Sequence, residues 1–264
     1  MSTILFAKTI QDLLYQVKTN NNLTIVGGCT NTDKIPERFI STRNIPELNY
    51  IERHERYIDI GPGTTLSQIL QLGQNHLPQI LYEALHSIAT PIIRNIATIG
   101  GNICSEGQRY SLFAPLMALD TKVELKSTTD TKIESIQNFK KIPDGYILSN
   151  IRIPLIIPEV CIFRRIGPEN LITPESATFA FMADTENNTL NDIRFSFSGP
   201  FVFRNRTFES SLVGYRLPLT RKDISDIQSR IEEEFKIAAI DQMISDTVKQ
   251  QFINLCRYSL EQLM

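Results

Sequence analysis

The sequence predicts an α+β protein, with an N-terminal unit of short strands and helices followed by an antiparallel sheet backed by helices. Three observations carry this. Two β-prone runs, "LTIVGG" and "RNIATIGG", each break at a glycine pair. After "ATFAFMAD" and the polar turn "ENNT", residues Ile193, Phe195 and Phe197 alternate as in a half-buried strand. From Thr220 to Met264 the pattern turns helical, with Ile224, Ile227, Ile231 and Phe235 at helix spacing. The texture changes near 160–175, and the chain is divided into 1–165 and 166–264.

The elements follow in order. Thr9 to Lys18 reads as a helix, with Thr9 as cap, Asp12 in the first turn and Leu13, Leu14 and Val17 on the apolar face. Asn20–Asn22 stop it, and "LTIVGG" follows as a strand entering a glycine turn. Tyr57–Ile60 is a strand, Gly61-Pro62-Gly63 a turn, and Thr65–Gln74 a helix with Leu66, Ile69, Leu70 and Leu72 inward. Leu77–Ala89 and Phe113–Leu119 are helical, and "KVELKS" is a strand. "YILSNIRIP" and "VCIFRRIG" are strands on either side of a proline-rich turn.

Composition narrows the function classes. A net charge of -2 in 264 residues argues against nucleic-acid or membrane-surface binding through bulk electrostatics. Cys29, Cys104, Cys161 and Cys256 are scattered, with no CxxC and no adjacent His, so neither a metal site nor a disulfide framework is expected. No apolar run reaches membrane-spanning length and the N-terminal stretch lacks signal-peptide features. A reducing cytoplasm is the expected location. No nucleophile–His–acid arrangement can be read, so no catalytic side chain is assigned.

The glycine pairs carry the chemistry. Glycine lets a ligand approach the main chain, and converging backbone N–H groups favour phosphate. "VGGCTN" offers Val26, Gly27, Gly28, Cys29, Thr30 and Asn31, and "TIGGN" offers Thr98, Ile99, Gly100, Gly101 and Asn102. Together they read as the two halves of one cradle for an anionic ligand. Neither run is GxGxxG and no GK[ST] is present, so dinucleotide-fold and P-loop readings fail. Blander roles compete elsewhere. Cys29 reads as a small filler in a tight turn, His86 as a structural histidine, His54 and His76 as surface groups, and Glu106 with Arg109 as a solvated pair. "RIEEEFK" at 230–236 is a solvated helix face.

"IRNIATIGGNIC" followed by "FAPLMALDTKVEL" closely resembles the FAD-binding subunit of molybdenum hydroxylases, the family of carbon monoxide dehydrogenase and bacterial xanthine dehydrogenases. "YIDIGPGTTLSQI" before it, and "IRIP" and "SFSGPFVFRNRTFESSLVG" after it, fall in the family's order. The resemblance implies a vanillyl-alcohol-oxidase-like (PCMH-type) FAD-binding fold of two α/β subdomains. A small C-terminal domain of a three-stranded antiparallel sheet with helices would follow. Both glycine turns would hold the FAD pyrophosphate through backbone N–H groups. By the same resemblance Ile88 packs near the cofactor, Leu148 lines the flavin ring and Arg164 lies close to it. The implied partners are a [2Fe–2S] small subunit and a molybdopterin large subunit, with electrons leaving FAD for NAD or another acceptor.

The sequence departs from the family in places. The first turn usually reads AGGTD, and Cys29 and Thr30 replace its Thr and Asp; Ser111 stands where an acid usually contacts the cofactor. Each lost hydrogen bond is worth about 0.5–1.5 kcal/mol, so a few together weaken FAD by about one to a few powers of ten. Two alternatives follow: a non-catalytic assembly or scaffold homologue with lost or weakened FAD binding, and a free-standing flavin reductase or oxidase.

Overall fold

The computed structural model describes residues 3–20, 22–30, 36–105, 111–168, 173–242 and 244–264. The chain opens with β1 (Thr3–Leu5), α1 (Ile10–Thr19), β2 (Thr24–Val26), β3 (Arg38–Ser41), β4 (Ile51–Arg53), β5 (Tyr57–Ile60) and α2 (Leu66–Leu70). It continues with α3 (Gln79–Ser87), α4 (Pro91–Arg94), α5 (Ile99–Cys104), α6 (Phe113–Ala118), β6 (Lys122–Lys126), β7 (Thr131–Ser135) and β8 (Ile147–Pro154). Last come β9 (Val160–Ile166), β10 (Ala177–Glu186), β11 (Thr189–Ser198), β12 (Val202–Phe203), α7 (Arg206–Ser211), α8 (Arg221–Ala238) and α9 (Asp246–Glu261).

The residues gather into two compact units. One comprises Met1–Leu77, Ile88–Glu106 and Leu119–Leu155; the other Pro78–Ser87, Gly107–Ala118 and Ile156–Met264. The units interleave along the sequence, so α3 and α6 belong to the second while their flanking segments belong to the first.

In the first unit, β1-β3-β2 form a parallel sheet. The Thr9 hydroxyl accepts the Asp12 N–H and starts α1, which buries Leu13 and Leu14 with Ile40, Ile45, Leu48 and Ile147. A second sheet runs in the order β4-β5-β8-β6-β7, antiparallel throughout. Period-2 alternation buries Ile58, Ile60, Ile151, Ile153, Val123 and Leu125. The other face is polar. Asp59 takes a bidentate pair of hydrogen bonds from Arg152, both 2.8 Å, and the guanidinium lies 4.1 Å over the Tyr57 ring. Burial opposes ionisation of Asp59, yet bonds from Arg152 and Asn150 outweigh it and hold the carboxyl below its ordinary value. Tyr50, on the same face, has its hydroxyl pushed up to about 12 by burial and by the charges of Asp59 and Glu124.

In the second unit, β9, β10 and β11 are the three long antiparallel strands expected, with the two-residue β12 added at one edge. Asn187 and Asn188, at φ 52° and 59°, make the tight turn of the β10–β11 hairpin. Phe179, Phe181, Phe195 and Phe197 share a core with Ile224, Ile227, Ile231 and Phe235 of α8 and Phe252 of α9. The Phe235 and Phe252 rings stack at 4.1 Å. Thr220 caps α8 through a reciprocal box with Asp223. The C-terminal end of α6 is held by two arginines, Arg204 on the Met117 carbonyl and Arg194 on the Ala118 carbonyl at 2.6 Å. Arg204 also pairs with buried Glu209, which accepts the Phe195 N–H; burial keeps the Glu209 carboxyl above its ordinary value despite that pairing.

The structure differs from the sequence reading in places. The helix expected over Thr65–Gln74 ends at Leu70, and Gly73 follows at φ +82°, a conformation that cannot continue a helix. The strands β1, β3, β4 and β7 and the one-turn α4 are additional; each has five residues or fewer and shows no periodicity.

Candidate functional site

The first glycine pair leaves β2, whose last residue Val26 is buried. Its carbonyl accepts the N–H of Thr42 at 3.0 Å. A Cβ on Gly27 would lie 2.5 Å from Thr98 Oγ1, and one on Gly28 only 2.0 Å from the Ile96 carbonyl oxygen. The first pair is therefore glycine because the Thr98 side chain and the Ile96–Ala97 main chain are pressed against it. The two runs read as halves of one cradle are in contact.

The second pair is not the strand-to-turn junction expected. Thr98 is an N-cap, its Oγ1 accepting the Gly101 N–H at 3.0 Å, so Gly100 and Gly101 lie in the first turn of α5. Its amides are already engaged. Ile99 N–H donates to the Thr64 carbonyl, Gly100 N–H to the Pro62 carbonyl and Asn102 N–H to the Thr98 carbonyl, each at 3.0 Å. A Cβ on Gly100 would stand 2.6 Å from Pro62 Cβ, whereas one on Gly101 meets only Thr98 Oγ1, at 3.0 Å. Gly101 is exposed, and Asn102 Oδ1 is a buried oxygen without a hydrogen-bond partner among the described residues.

The first turn is the reverse case. The amides of Gly27, Gly28, Cys29 and Thr30 donate to no acceptor among the described residues. Cys29 sits at φ 51°, in the left-handed region, and Cys29 and Thr30 are exposed. A left-handed residue within such a bend turns successive N–H groups to one side, a geometry suited to phosphate oxygens. Asn31 lies outside the described residues, as do Glu106 and Arg109. The residues present fit a diphosphate-bearing cofactor: an open amide run, the side-chain-free surface of Gly101 and the orphaned Asn102 carbonyl oxygen belong to one unit.

The remaining assigned residues are dispersed. Ile88 is buried in the same unit, and its carbonyl accepts Arg94 Nη1 at 2.8 Å. Leu148 is buried on β8 opposite Leu125. Ser111 and Arg164 belong to the second unit, Ser111 half-buried just before α6. Arg164 is exposed; its guanidinium donates to the Phe163 carbonyl at 2.7 Å and lies 5.9 Å over the Tyr258 ring. Strand alternation puts Arg164 on the face of Ile162 and Ile166 and aims its neighbour Arg165 the other way. Arg165 makes a long contact, 3.4 Å, to the carbonyl of Ser87, the residue before Ile88. Sequence reasoning weighed Arg164 and Arg165 together as half of a surface salt network; the alternation along "CIFRRIG" was the signal that separates them. His86 is exposed and edge-on to Tyr82 at 4.6 Å. Among the described residues no group of three or more His, Cys, Asp or Glu could hold a metal, and no helix is long and apolar enough to cross a membrane.

The chain thus joins an α/β unit carrying an open, amide-lined glycine bend to an antiparallel sheet backed by helices. Residues 1–156 match the family described as "FAD binding domain in molybdopterin dehydrogenase", more than half of the chain, and the chain belongs to that family. It is 36% identical over 107 residues to a xanthine dehydrogenase FAD-binding subunit of Escherichia coli O157:H7, covering 39% of this chain and 36% of that protein. The chain thus spans about a third of that relative's length. A glyceraldehyde dehydrogenase medium chain of Sulfolobus acidocaldarius is 22% identical over 249 residues, 86% of each chain. The fold matches a chain of reconstituted CO dehydrogenase from Oligotropha carboxidovorans with a TM-score of 0.80 and 17% identity, over 100% of this chain and 96% of that one.

Proposed function

We propose that this chain is the FAD-binding electron-transfer subunit of a multi-subunit, xanthine-dehydrogenase-like molybdenum hydroxylase, located in the cytoplasm. Residues 1–165 form its FAD-binding domain and 166–264 its C-terminal flavoprotein domain. A molybdopterin large subunit oxidises the substrate and a [2Fe–2S] small subunit relays the electrons. When bound, FAD supplies the exchange between electrons from the cluster and a hydride for NAD or another acceptor. This chain's own part is binding and orientation. The amides of Gly27–Thr30 receive the diphosphate, Gly101 leaves it room, and Asn102 Oδ1 accepts from a cofactor hydroxyl. Ile88 and Leu148 supply apolar contact within the same unit.

The observation that carries the reading is the run of amides at Gly27–Thr30 without acceptors among the described residues, in the same unit as the open surface of Gly101. The exchange of the usual Thr and Asp for Cys29 and Thr30 favours the second reading, a scaffold with weakened FAD; the main-chain part of the cradle is intact nonetheless. The absorption spectrum of the purified, desalted protein separates the two. Flavin bands that persist, or return on adding FAD, support the subunit. A featureless spectrum in excess FAD supports the scaffold. Co-expression with candidate cluster and molybdenum subunits is expected to yield a heteromer, and the isolated chain to show little substrate-driven NAD reduction. A chain that stays alone and oxidises a substrate by itself would overturn the assignment.

A further inference from the structure

We propose that the Gly61-Pro62-Gly63-Thr64 turn is a positioning element that sets the FAD cradle through its carbonyls without touching the ligand; this rests on the cofactor reading above. The turn is anchored from below on main-chain carbonyls. Gly61 N–H donates to the Tyr50 carbonyl at 2.9 Å and Gly63 N–H to the Leu48 carbonyl at 2.7 Å, while the Thr64 hydroxyl donates to the Tyr50 carbonyl at 3.0 Å. On its upper side it holds the start of α5. The Pro62 carbonyl accepts Gly100 N–H and the Thr64 carbonyl accepts Ile99 N–H, both at 3.0 Å, and Leu66 N–H returns to the Ala97 carbonyl at 2.9 Å. The segment so held is the one pressed against Gly27 and Gly28.

The close approaches leave no slack. A Cβ would fall 2.4 Å from the Leu48 carbonyl oxygen at Gly61, 2.8 Å from it at Gly63 and 2.6 Å from Pro62 Cβ at Gly100. Pro62 fixes its own φ and has no N–H to divert, so it offers only a carbonyl. The stack therefore runs from Leu48 and Tyr50, through the turn, through residues 96–100, to the first glycine pair. A displacement at its base is carried to Gly101 and the Gly27–Thr30 amides through hydrogen-bonded backbone, the Pro62 ring and the Thr98 side chain that caps α5. The open amides are held apart in advance of binding, and this preorganisation lowers the ordering cost of the complex.

The test is Gly63→Ala against a control, Phe252→Ala, which removes a buried ring from the core of the second unit and none of the residues of these turns. Both are compared with wild type for thermal stability, FAD dissociation constant and amide hydrogen exchange in the ligand-free protein. Gly63→Ala is expected to raise the dissociation constant about tenfold or more and to speed exchange selectively at Ile99 and Gly100. Phe252→Ala, at equal or greater loss of stability, is expected to do neither. Unchanged affinity and exchange in Gly63→Ala, or the same changes in Phe252→Ala, would overturn the proposal. Should Gly63→Ala fail to fold, Pro62→Ala, which frees φ and adds an N–H but no heavy atom, is expected to shift both readouts in the same direction by less; no shift would count against the proposal. A wild-type protein that binds no FAD would defeat the cofactor reading, while the exchange measurement would still decide whether the turn holds α5.

Discussion

The two Gly-Gly pairs look alike in sequence and do opposite things. At Gly27-Gly28 the missing side chains let residues 96–98 close in, and the amides remain without acceptors among the described residues. At Gly100-Gly101 the amides are engaged by Pro62 and Thr98, Gly100 is filled from behind by Pro62, and Gly101 alone opens outward. In the proposed cradle one pair supplies donors and the other a wall. A glycine motif is thus read correctly only once the acceptors of its N–H groups are known.

Substitutions can break this contrast, and Gly28→Ala is expected to have the largest effect. Its Cβ would sit 2.0 Å from the Ile96 carbonyl oxygen, so the turn must open. A stability loss of about 3 kcal/mol, the upper end for overpacking, is expected together with loss of FAD binding. Denaturant melts and flavin titration measure both, and a stable, FAD-binding variant would show that the two runs are not in contact. Next is Gly101→Val. Its Cβ meets only Thr98 Oγ1, so stability is expected to change by about 1 kcal/mol or less. FAD affinity is expected to fall by about a hundredfold or more, roughly 3 kcal/mol. Undiminished affinity in the folded variant would remove this wall from the site.

A smaller effect probes the support beneath the second pair. Asp59→Asn breaks the bidentate pair with Arg152, whose side chain is 45% exposed and stays solvated, so the expected cost is only about 1 kcal/mol. The native carboxyl titrates below its ordinary value of 3.8. Its contribution to stability is therefore complete above that value and is lost as pH falls through the lower native one. The variant's deficit should be constant near neutrality and shrink in acid; a deficit that grew on acidification would contradict the assignment. The smallest change is expected from Ser111→Asp. If residue 111 faces ribityl or ribose hydroxyls, one added hydrogen bond tightens FAD by about two- to tenfold. Unchanged or weaker binding would mean that the family register does not hold at 111.

Much of the fold was legible where local chemistry decides it. Thr9 and Thr220 cap the helices they were expected to start or precede, the α8 stripe is buried at every position named, and "ENNT" turns the β10–β11 hairpin. The local geometry of the two glycine runs was only partly legible. "ATIGG" combines β-branched residues with two poor helix formers, so its local signal is that of a strand. The Thr98 cap within the run makes it a helix start together with the carbonyls of Pro62 and Thr64, two distant partners that no such window contains. The same limit hid the contact of Gly28 with Ile96 and the role of the Gly61–Thr64 turn. Arg164 and Arg165 differ by one step of strand register, which a single sequence leaves open and the pairing of Arg165 with Thr178 fixes.

The most direct measurement follows each backbone amide by NMR while FAD is titrated into the isotopically labelled protein. The amides of Gly27, Gly28, Cys29 and Thr30 are expected to shift strongly and saturably, with Gly101 responding. Ile99 and Gly100, already bonded to Thr64 and Pro62, are expected to move little. Large shifts at Ile99 and Gly100 with the first turn unmoved, or no saturable response anywhere, would contradict an FAD cradle built on the open amides of the first glycine turn.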